Sequence, residues 1–164
     1  DETTPDTAGR LEGYKRAYAD YGIEPTERWV IRPGSYDIPT ATVTFNTFLD
    51  TILAMLEGER PTAVMCGNDQ LAHTAWNEMK RRGLNMPDDL SLSGFDGTPY
   101  AELVHPQLAT VKQPLFDMGM EACRMLLRNI ANPDSKTGHH RPHAQQVILP
   151  YELQPGPSIK DIRK

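Results

Sequence analysis

Short apolar runs alternate along this chain with longer stretches in which apolar residues recur every three or four positions. The short runs predict strands over 29–31, 62–67, 90–95, 109–113 and 146–153. The longer stretches predict helices from a cap at Asp6 or Thr7 to Gly22, from Val43 to Gly58, over 70–82 and over 115–130. Alternation of this kind is typical of βαβ crossovers. The predicted fold class is therefore α/β, with a parallel sheet flanked by helices.

Polar side chains follow two of the predicted strands where those strands end. Asn68 and Asp69 come directly after the strand 62–67, and Asp96 follows the strand 90–95. Ligands bind outside the carboxyl ends of the strands in an open parallel sheet, so Asn68 and Asp96 are expected to lie together at the mouth of one crevice. Asp69 directly precedes the helix that begins at Gln70, and we expect it to cap that helix.

Composition narrows the class of protein. The 164 residues suit one ordinary domain, and the formal net charge of -5 argues against a phosphate-binding face on this segment. No apolar run approaches the roughly 20 residues that a membrane helix needs. Cys66 and Cys123 fall in an apolar strand and an apolar helix stripe, which predicts two buried thiols and favours a reducing, cytoplasmic compartment.

The sequence offers little support for catalysis, a metal or a cofactor. It contains no nucleophile elbow, phosphate-binding loop or His-Glu-x-x-His pattern. His139, His140 and His143 lie in a polar connector, where solvated histidines are the usual case. For Trp76 and Met79 we expect core packing, with a dimer face as the alternative. The predicted activity is binding.

Motifs spread over nearly the whole chain resemble those of the LacI/GalR family of transcriptional regulators. In chain order they are Arg10-Leu-Glu-Gly-Tyr14, Pro61-Thr-Ala-Val64, Gly67-Asn-Asp-Gln-Leu-Ala72, Pro87-Asp-Asp-Leu-Ser91, Gly94-Phe-Asp-Gly97 and Pro106-Gln-Leu-Ala-Thr-Val-Lys-Gln-Pro114. The resemblance implies an effector-binding module of two Rossmann-like lobes, with a sugar or similar polar metabolite in the cleft between them. The alternative is a lobe of a periplasmic sugar-binding transport protein, which shares the fold.

The resemblance also implies a division of the chain. Residues 1–113 would form the C-terminal lobe, without the strand that precedes the first helix in the family. Residues 114–145 would be a crossover helix and connector belonging to the absent N-terminal lobe, and 146–164 a returning strand and tail. Two consequences are expected: a slot between the strands near Val30 and Val64 that another segment, such as a swapped partner, must fill, and a partly bare apolar stripe on the helix 115–130.

Five residues match ligand-binding positions of the family. They are Arg10, Tyr36, Asn68, Asp96 and Gln113. The arginine fork and the carboxylate suit adjacent hydroxyl groups, the two amides supply both donors and acceptors, and the tyrosine would stack on a ring. The alternatives are a solvated helix residue for Arg10, turn or cap residues for Asn68 and Asp96, and a hinge-packing amide for Gln113. The expected partners are a small-molecule effector, a second copy of the chain and, through a DNA-binding headpiece absent from this sequence, operator DNA.

Overall fold

The computed structural model describes residues 5–24, 27–32, 34, 37–131 and 146–162. Its helices are α1 (Pro5–Asp20), α2 (Ile38–Leu53), α3 (Asp69–Arg81), α4 (Pro99–Leu103) and α5 (Leu115–Ala131). Its strands are β1 (Ala63–Met65), β2 (Ser91–Ser93), β3 (Thr110–Lys112) and β4 (Glu152–Gln154), and short 3-10 turns occupy Glu27–Trp29 and Glu57–Glu59. The α/β class predicted from the sequence is confirmed.

Parallel pairing brings the carboxyl ends of three strands to one edge. β1 pairs with β2 in parallel, with Val64 opposite Leu92. Isolated parallel bridges then join β2 to β3, at Ser93–Ala109 and Asp96–Lys112. β4 runs antiparallel to β3. Side chains that directly follow β1, β2 and β3 therefore share one end of the sheet.

The core lies between this sheet and helices α2 and α3. One face of α3 carries Ala72, Ala75 and Met79 at helical spacing, and all three are fully buried. Core packing is thus confirmed for Met79. Trp76 is only partly buried, and its indole nitrogen donates to the carbonyl of His105 at 2.8 Å. Gly83 ends α3 with φ of 72°, the left-handed conformation typical of a helix C-terminus.

The strand predicted over 29–31 is wrong. Trp29 ends a 3-10 turn, and residues 30–32 form no regular structure. A strand is stabilised by hydrogen bonds to a neighbour, and no described strand pairs with the edge of β1 opposite β2. At that edge a groove of about 460 Å³ runs between β1, residues 29–32 and the Tyr14–Tyr18 face of α1. The groove lies beside Val64, where the slot was expected, but its far side is the irregular segment 30–32 and not a strand.

Residues 155–162 follow β4, and Ser158 in this tail packs against the sheet. Ser158 is fully buried between β2 and β3, on the side where both strands begin. Its hydroxyl donates to the Leu92 carbonyl at 2.7 Å and accepts from the Ala109 amide at 2.8 Å. Of the predicted strand 146–153, only the last two residues belong to β4, because only β4 pairs with another strand.

The two cysteines differ in exposure. Cys66 is buried as predicted, and burial raises the pKa of its thiol to about 12. Cys123 is exposed, which contradicts the prediction. It lies on α5 near Met118 and Leu126, whose side chains are 43% and 59% exposed. The apolar stripe that predicted burial is present, but no element within the described ranges covers it.

Candidate functional site

The Asp96 carboxylate is the centre of a polar cluster at the carboxyl ends of the strands. Its Oδ1 accepts a hydrogen bond from Gln113 Nε2 at 2.6 Å and from Arg10 Nη2 at 3.2 Å. Three predicted site residues, far apart in sequence, therefore meet at one oxygen atom. The Arg10 and Asp96 side chains are 20% and 24% exposed, so the ion pair is sheltered yet open to a ligand.

Arg10 reaches the cluster from α1 and is held by two further contacts. Its Nη1 donates to the Gly67 carbonyl at 2.6 Å, next to Asn68. Its guanidinium lies over the Phe95 ring, 4.2 Å from the ring centroid. An arginine that is stacked and hydrogen-bonded in this way loses little further side-chain freedom when it binds a ligand. The alternative of a solvated arginine does not fit this geometry.

Asp96 has a strained backbone. It is the one non-glycine residue with positive φ among the described residues, at 104°. Its neighbours impose this conformation: the Asp96 amide donates to the Val111 carbonyl at 2.9 Å, and its carbonyl accepts from the Gln113 amide at 3.1 Å. Strain of this kind costs about 1–3 kcal/mol and is concentrated at ligand-binding and catalytic positions.

The predicted cap at Asp69 is wrong, because Asn68 caps the helix in its place. Asn68 caps α3, because its side-chain oxygen accepts from the Leu71 amide at 2.8 Å. Asp69, predicted to be the cap, is fully buried instead, and its carboxylate accepts from Thr98 and Thr110. Asn68 also lines the adjoining crevice, where its amide nitrogen is able to donate to a ligand while its oxygen caps the helix.

A cavity of about 540 Å³ adjoins the cluster. Its lining consists of Asn68, Gln70, Asp96, Thr98, Pro99, Tyr100 and Leu103. The lining combines polar groups from the strand ends with the apolar first turn of α4. A pocket with mostly apolar walls and a few convergent polar groups is the usual form of a small-molecule site.

Sequence reasoning missed part of the site. Phe95, the platform under Arg10, was read only as part of a strand, and the Asp69–Thr98–Thr110 contacts were not anticipated. The glycines on either side of Phe95 and Asp96 carried a usable signal, because Gly94 and Gly97 mark close backbone approach. Tyr36, the remaining predicted ligand residue, lies outside the described residues, as do His139, His140 and His143.

The chemistry available at the cluster is recognition of hydrogen-bonding groups. A carboxylate, a guanidinium and an amide supply acceptors and donors within a few ångströms of one another. Within the described ranges, no group of three or more His, Cys, Asp or Glu side chains is placed to hold a metal ion. None of the helices in those ranges combines the length and apolar character needed to cross a bilayer.

Comparison with known proteins identifies the family. The periplasmic binding protein-like domain matches residues 1–159. Catabolite control protein A of Priestia megaterium is 34% identical over 122 residues, which are 74% of this chain and 34% of that protein. The HTH-type transcriptional repressor PurR of Vibrio campbellii is 34% identical over 146 residues, 89% of this chain and 38% of that protein.

A solved structure of a transcription regulator is also similar to this chain. A LacI-type transcription regulator from Bifidobacterium animalis subsp. lactis superimposes with a TM-score of 0.77 and 26% identity, over 97% of this chain and 53% of that one. The chain spans about a third to two-fifths of the length of the two curated relatives. The chain belongs to the periplasmic binding protein-like domain family, in the form found as the effector-binding domain of LacI/GalR-type transcriptional regulators.

Proposed function

We propose that the Arg10–Asp96–Gln113 cluster binds a small, hydroxyl-rich effector, with a sugar as the first candidate, in a DNA-binding transcriptional regulator. The observation that carries the proposal is the convergence of these three side chains on one oxygen of a strained aspartate. The reported relatives are regulators, which favours this function over sugar transport and over catalysis.

Recognition would work by exchange of hydrogen bonds. In the structure Asp96 accepts from Arg10 and Gln113, so its carboxylate is already oriented. Two adjacent effector hydroxyls would donate to the carboxylate, while the Arg10 fork, the Gln113 amide and the Asn68 nitrogen offer donors to effector oxygens. Because these donors are preorganised, little ordering entropy opposes binding.

The regulatory step follows from the position of the site at one face of a lobe. An effector that contacts two lobes stabilises their closed arrangement, and that change in population alters the geometry of distant DNA-binding headpieces. We propose that a longer protein contains this lobe together with a second lobe and a DNA-binding headpiece, and that it acts in the cytoplasm on an operator.

A ligand screen on the full-length protein tests this function. Pentoses, hexoses, disaccharides and purine bases are compared by thermal shift. A compound present at about 100 times its dissociation constant stabilises the folded state by about 2.7 kcal/mol, which corresponds to a rise in melting temperature of about 5–10 °C. A panel in which no polar metabolite raises the melting temperature would contradict effector binding.

Cys123 provides a test of the domain division. We propose that residues 1–113 form this lobe, that α5 and the connector up to 145 pack on the missing lobe, and that 146–164 return to this one. Maleimide is then expected to modify Cys123 rapidly in the 164-residue chain and slowly in the native full-length protein, measured by peptide mass spectrometry. Cys66 is the internal control, since its raised pKa and burial keep it unreactive until denaturant is added. Equal Cys123 reactivity in both proteins would contradict the division.

We also infer a homodimer formed through an aromatic surface on α3 and α4. The surface consists of His73, Trp76, Tyr100, Leu103 and His105, and the contacting ring pairs have centroids 5.6–6.4 Å apart. Tyr100 and Leu103 also line the cavity beside the cluster, so the dimer surface adjoins the site. Leu103 is 54% exposed at its edge. Burial of such residues against a second copy would remove apolar surface from water.

Leu103→Glu is expected to raise the dimer dissociation constant of the full-length protein about tenfold or more, because a charge would be placed in an apolar contact. Sedimentation equilibrium measures the change. Ile159→Glu is the matched control, since Ile159 is 51% exposed and lies in the tail after β4. Equal effects of the two substitutions would exclude the aromatic surface as the interface.

A further inference from the structure

The buried carboxylate of Asp69 lies immediately behind the loop that carries Asp96. Its Oδ2 accepts from the Thr98 amide at 2.6 Å and from the Thr98 hydroxyl at 3.1 Å. Its Oδ1 accepts from the Thr110 hydroxyl at 2.6 Å. One side chain thus joins the start of α3, the loop after β2 and the strand β3.

Asp69 also bonds the same loop through its backbone. Its amide donates to the Phe95 carbonyl at 2.9 Å. The loop is therefore attached to Asp69 on both sides of Asp96, at Phe95 before it and at Thr98 after it. A backbone with φ of 104° persists only where its surroundings hold it, and these attachments supply a large part of that restraint.

The fit between Asp69 and the loop leaves no spare space. A Cβ atom added at Gly94 would lie 2.3 Å from Asp69 Oδ1, so the carboxylate rests directly against the glycine backbone. On the other side of Asp96, a Cβ at Gly97 would lie 2.6 Å from Lys112 Cγ. The loop is fitted between Asp69 and β3, and displacement of the carboxylate would release it.

Resting on the effector-binding role proposed above, we propose that Asp69 is a positioning residue of that site. It does not contact the Arg10–Asp96–Gln113 cluster directly, and it does not line the adjoining cavity. Instead, its carboxylate holds the Phe95–Thr98 loop against β3, and this contact keeps Asp96 within hydrogen-bond distance of Gln113. Loss of the carboxylate lets the strained Asp96 backbone relax, and the three ligand-binding groups separate.

Ser158 is a matched control for this role. Like Asp69, it is fully buried, and its hydroxyl also links β2 to the start of β3 by two hydrogen bonds. The Ser158 hydroxyl bonds Leu92 and Ala109, however, whereas Asp69 bonds the Asp96 loop itself, at Phe95 and Thr98. Ser158→Ala should lower stability without moving the Asp96 loop, because both hydrogen bonds of the Ser158 side chain go to residues outside that loop.

The NMR signal of the Gln113 side-chain amide reports whether Gln113 still contacts Asp96, and the measurement needs no effector. The full-length protein is labelled with [15N]glutamine, and the Gln113 signal is assigned by its loss in Gln113→Ala. Asp69→Ala and Thr110→Val are each expected to shift this signal to the position of a free side-chain amide. Amide hydrogen exchange at Asp96 and Gln113 is expected to accelerate about tenfold, as loss of about one net hydrogen bond predicts.

Asp69→Asn tests rescue by a conservative change. The asparagine oxygen is able to accept from the Thr98 amide, and its nitrogen is able to donate to the Thr110 hydroxyl. The Gln113 signal of this variant should therefore stay close to that of the wild type. Ser158→Ala should leave the signal unmoved at a comparable loss of melting temperature.

Two results would overturn the proposal that Asp69 positions the site. An unshifted Gln113 signal in the Thr110→Val variant overturns it, even if Asp69→Ala does not fold. An equal shift in Ser158→Ala also overturns it, because general destabilisation would then explain the result. Since this readout uses no effector, its failure leaves effector binding untouched, and a ligand screen without a hit leaves the Gln113 result standing.

Discussion

Asp96→Asn is expected to weaken effector binding by about 100-fold in the full-length protein. The substitution keeps the shape of the side chain and removes its negative charge. Two hydroxyl donors would then lose charge-assisted acceptors, which are each worth about 1.5–3 kcal/mol. A net loss of about 3 kcal/mol corresponds to about 100-fold in the dissociation constant. Asparagine also tolerates positive φ better than most residues, so the fold should survive.

The measurement is calorimetric titration with the compound that gives the largest thermal shift in the screen. Asp88→Asn is the control with the same change in net charge, because Asp88 is an exposed partner of Lys160 at the surface. Its affinity should equal that of the wild type. Binding by Asp96→Asn within about threefold of the wild type would remove Asp96 from the site.

Asp96→Gly adds an independent check on the strain. Glycine adopts φ of 104° without steric cost, so this variant should lose effector affinity as Asp96→Asn does, yet unfold at a urea concentration equal to or above that of the wild type. Alanine is a poorer probe, because it removes the carboxylate and keeps the strain. A glycine variant that is markedly less stable would show that the bonds of the carboxylate to Arg10 and Gln113 stabilise the fold by more than the backbone strain costs.

Gly156→Ala is expected to destabilise the domain by about 4 kcal/mol. The added Cβ would lie 2.4 Å from the Gln107 carbonyl oxygen and 2.6 Å from the Ala109 nitrogen, both backbone atoms that cannot rotate away. The tail must then leave its place, and Ser158 leaves with it. The Leu92 carbonyl and the Ala109 amide would lose their partners, at about 1–3 kcal/mol for each buried group.

Gly58→Ala is the control for this effect. Gly58 has no atom within 4 Å of the position of an added Cβ, so its substitution should change stability by about 0.5 kcal/mol or less. The urea midpoint of the far-ultraviolet circular dichroism transition gives the comparison in the full-length protein. A Gly156→Ala midpoint close to that of Gly58→Ala would mean that the tail does not occupy the space between β2 and β3.

Most helices and strands could be predicted from the chain, but their ends were predicted less well. The predicted helices 70–82 and 115–130 agree with α3 and α5 to within one residue at each end, whereas the helix predicted from Val43 to Gly58 runs from Ile38 to Leu53 and α4 was not predicted. Helical periodicity is a local signal, because most backbone hydrogen bonds of a helix lie within the helix. A strand depends on a neighbour, so Trp29–Ile31 has strand-like residues and forms none, since no described segment pairs with it.

The candidate site shows the same difference between local and tertiary information. The order of residues along the chain determined that Asn68, Asp96 and Gln113 follow strands, and the family resemblance added Arg10. The cap at Asn68 is a local contact with Leu71. Only the tertiary structure decided that Arg10, Asp96 and Gln113 meet at one carboxylate oxygen and that Asp69 is buried behind the site. Residue types and their spacing can be read from the sequence. Which donor reaches which acceptor depends on folding, which here brings together two residues that are 86 positions apart. That pairing is a property of the packed fold, because each polar group takes the partner that burial leaves within reach.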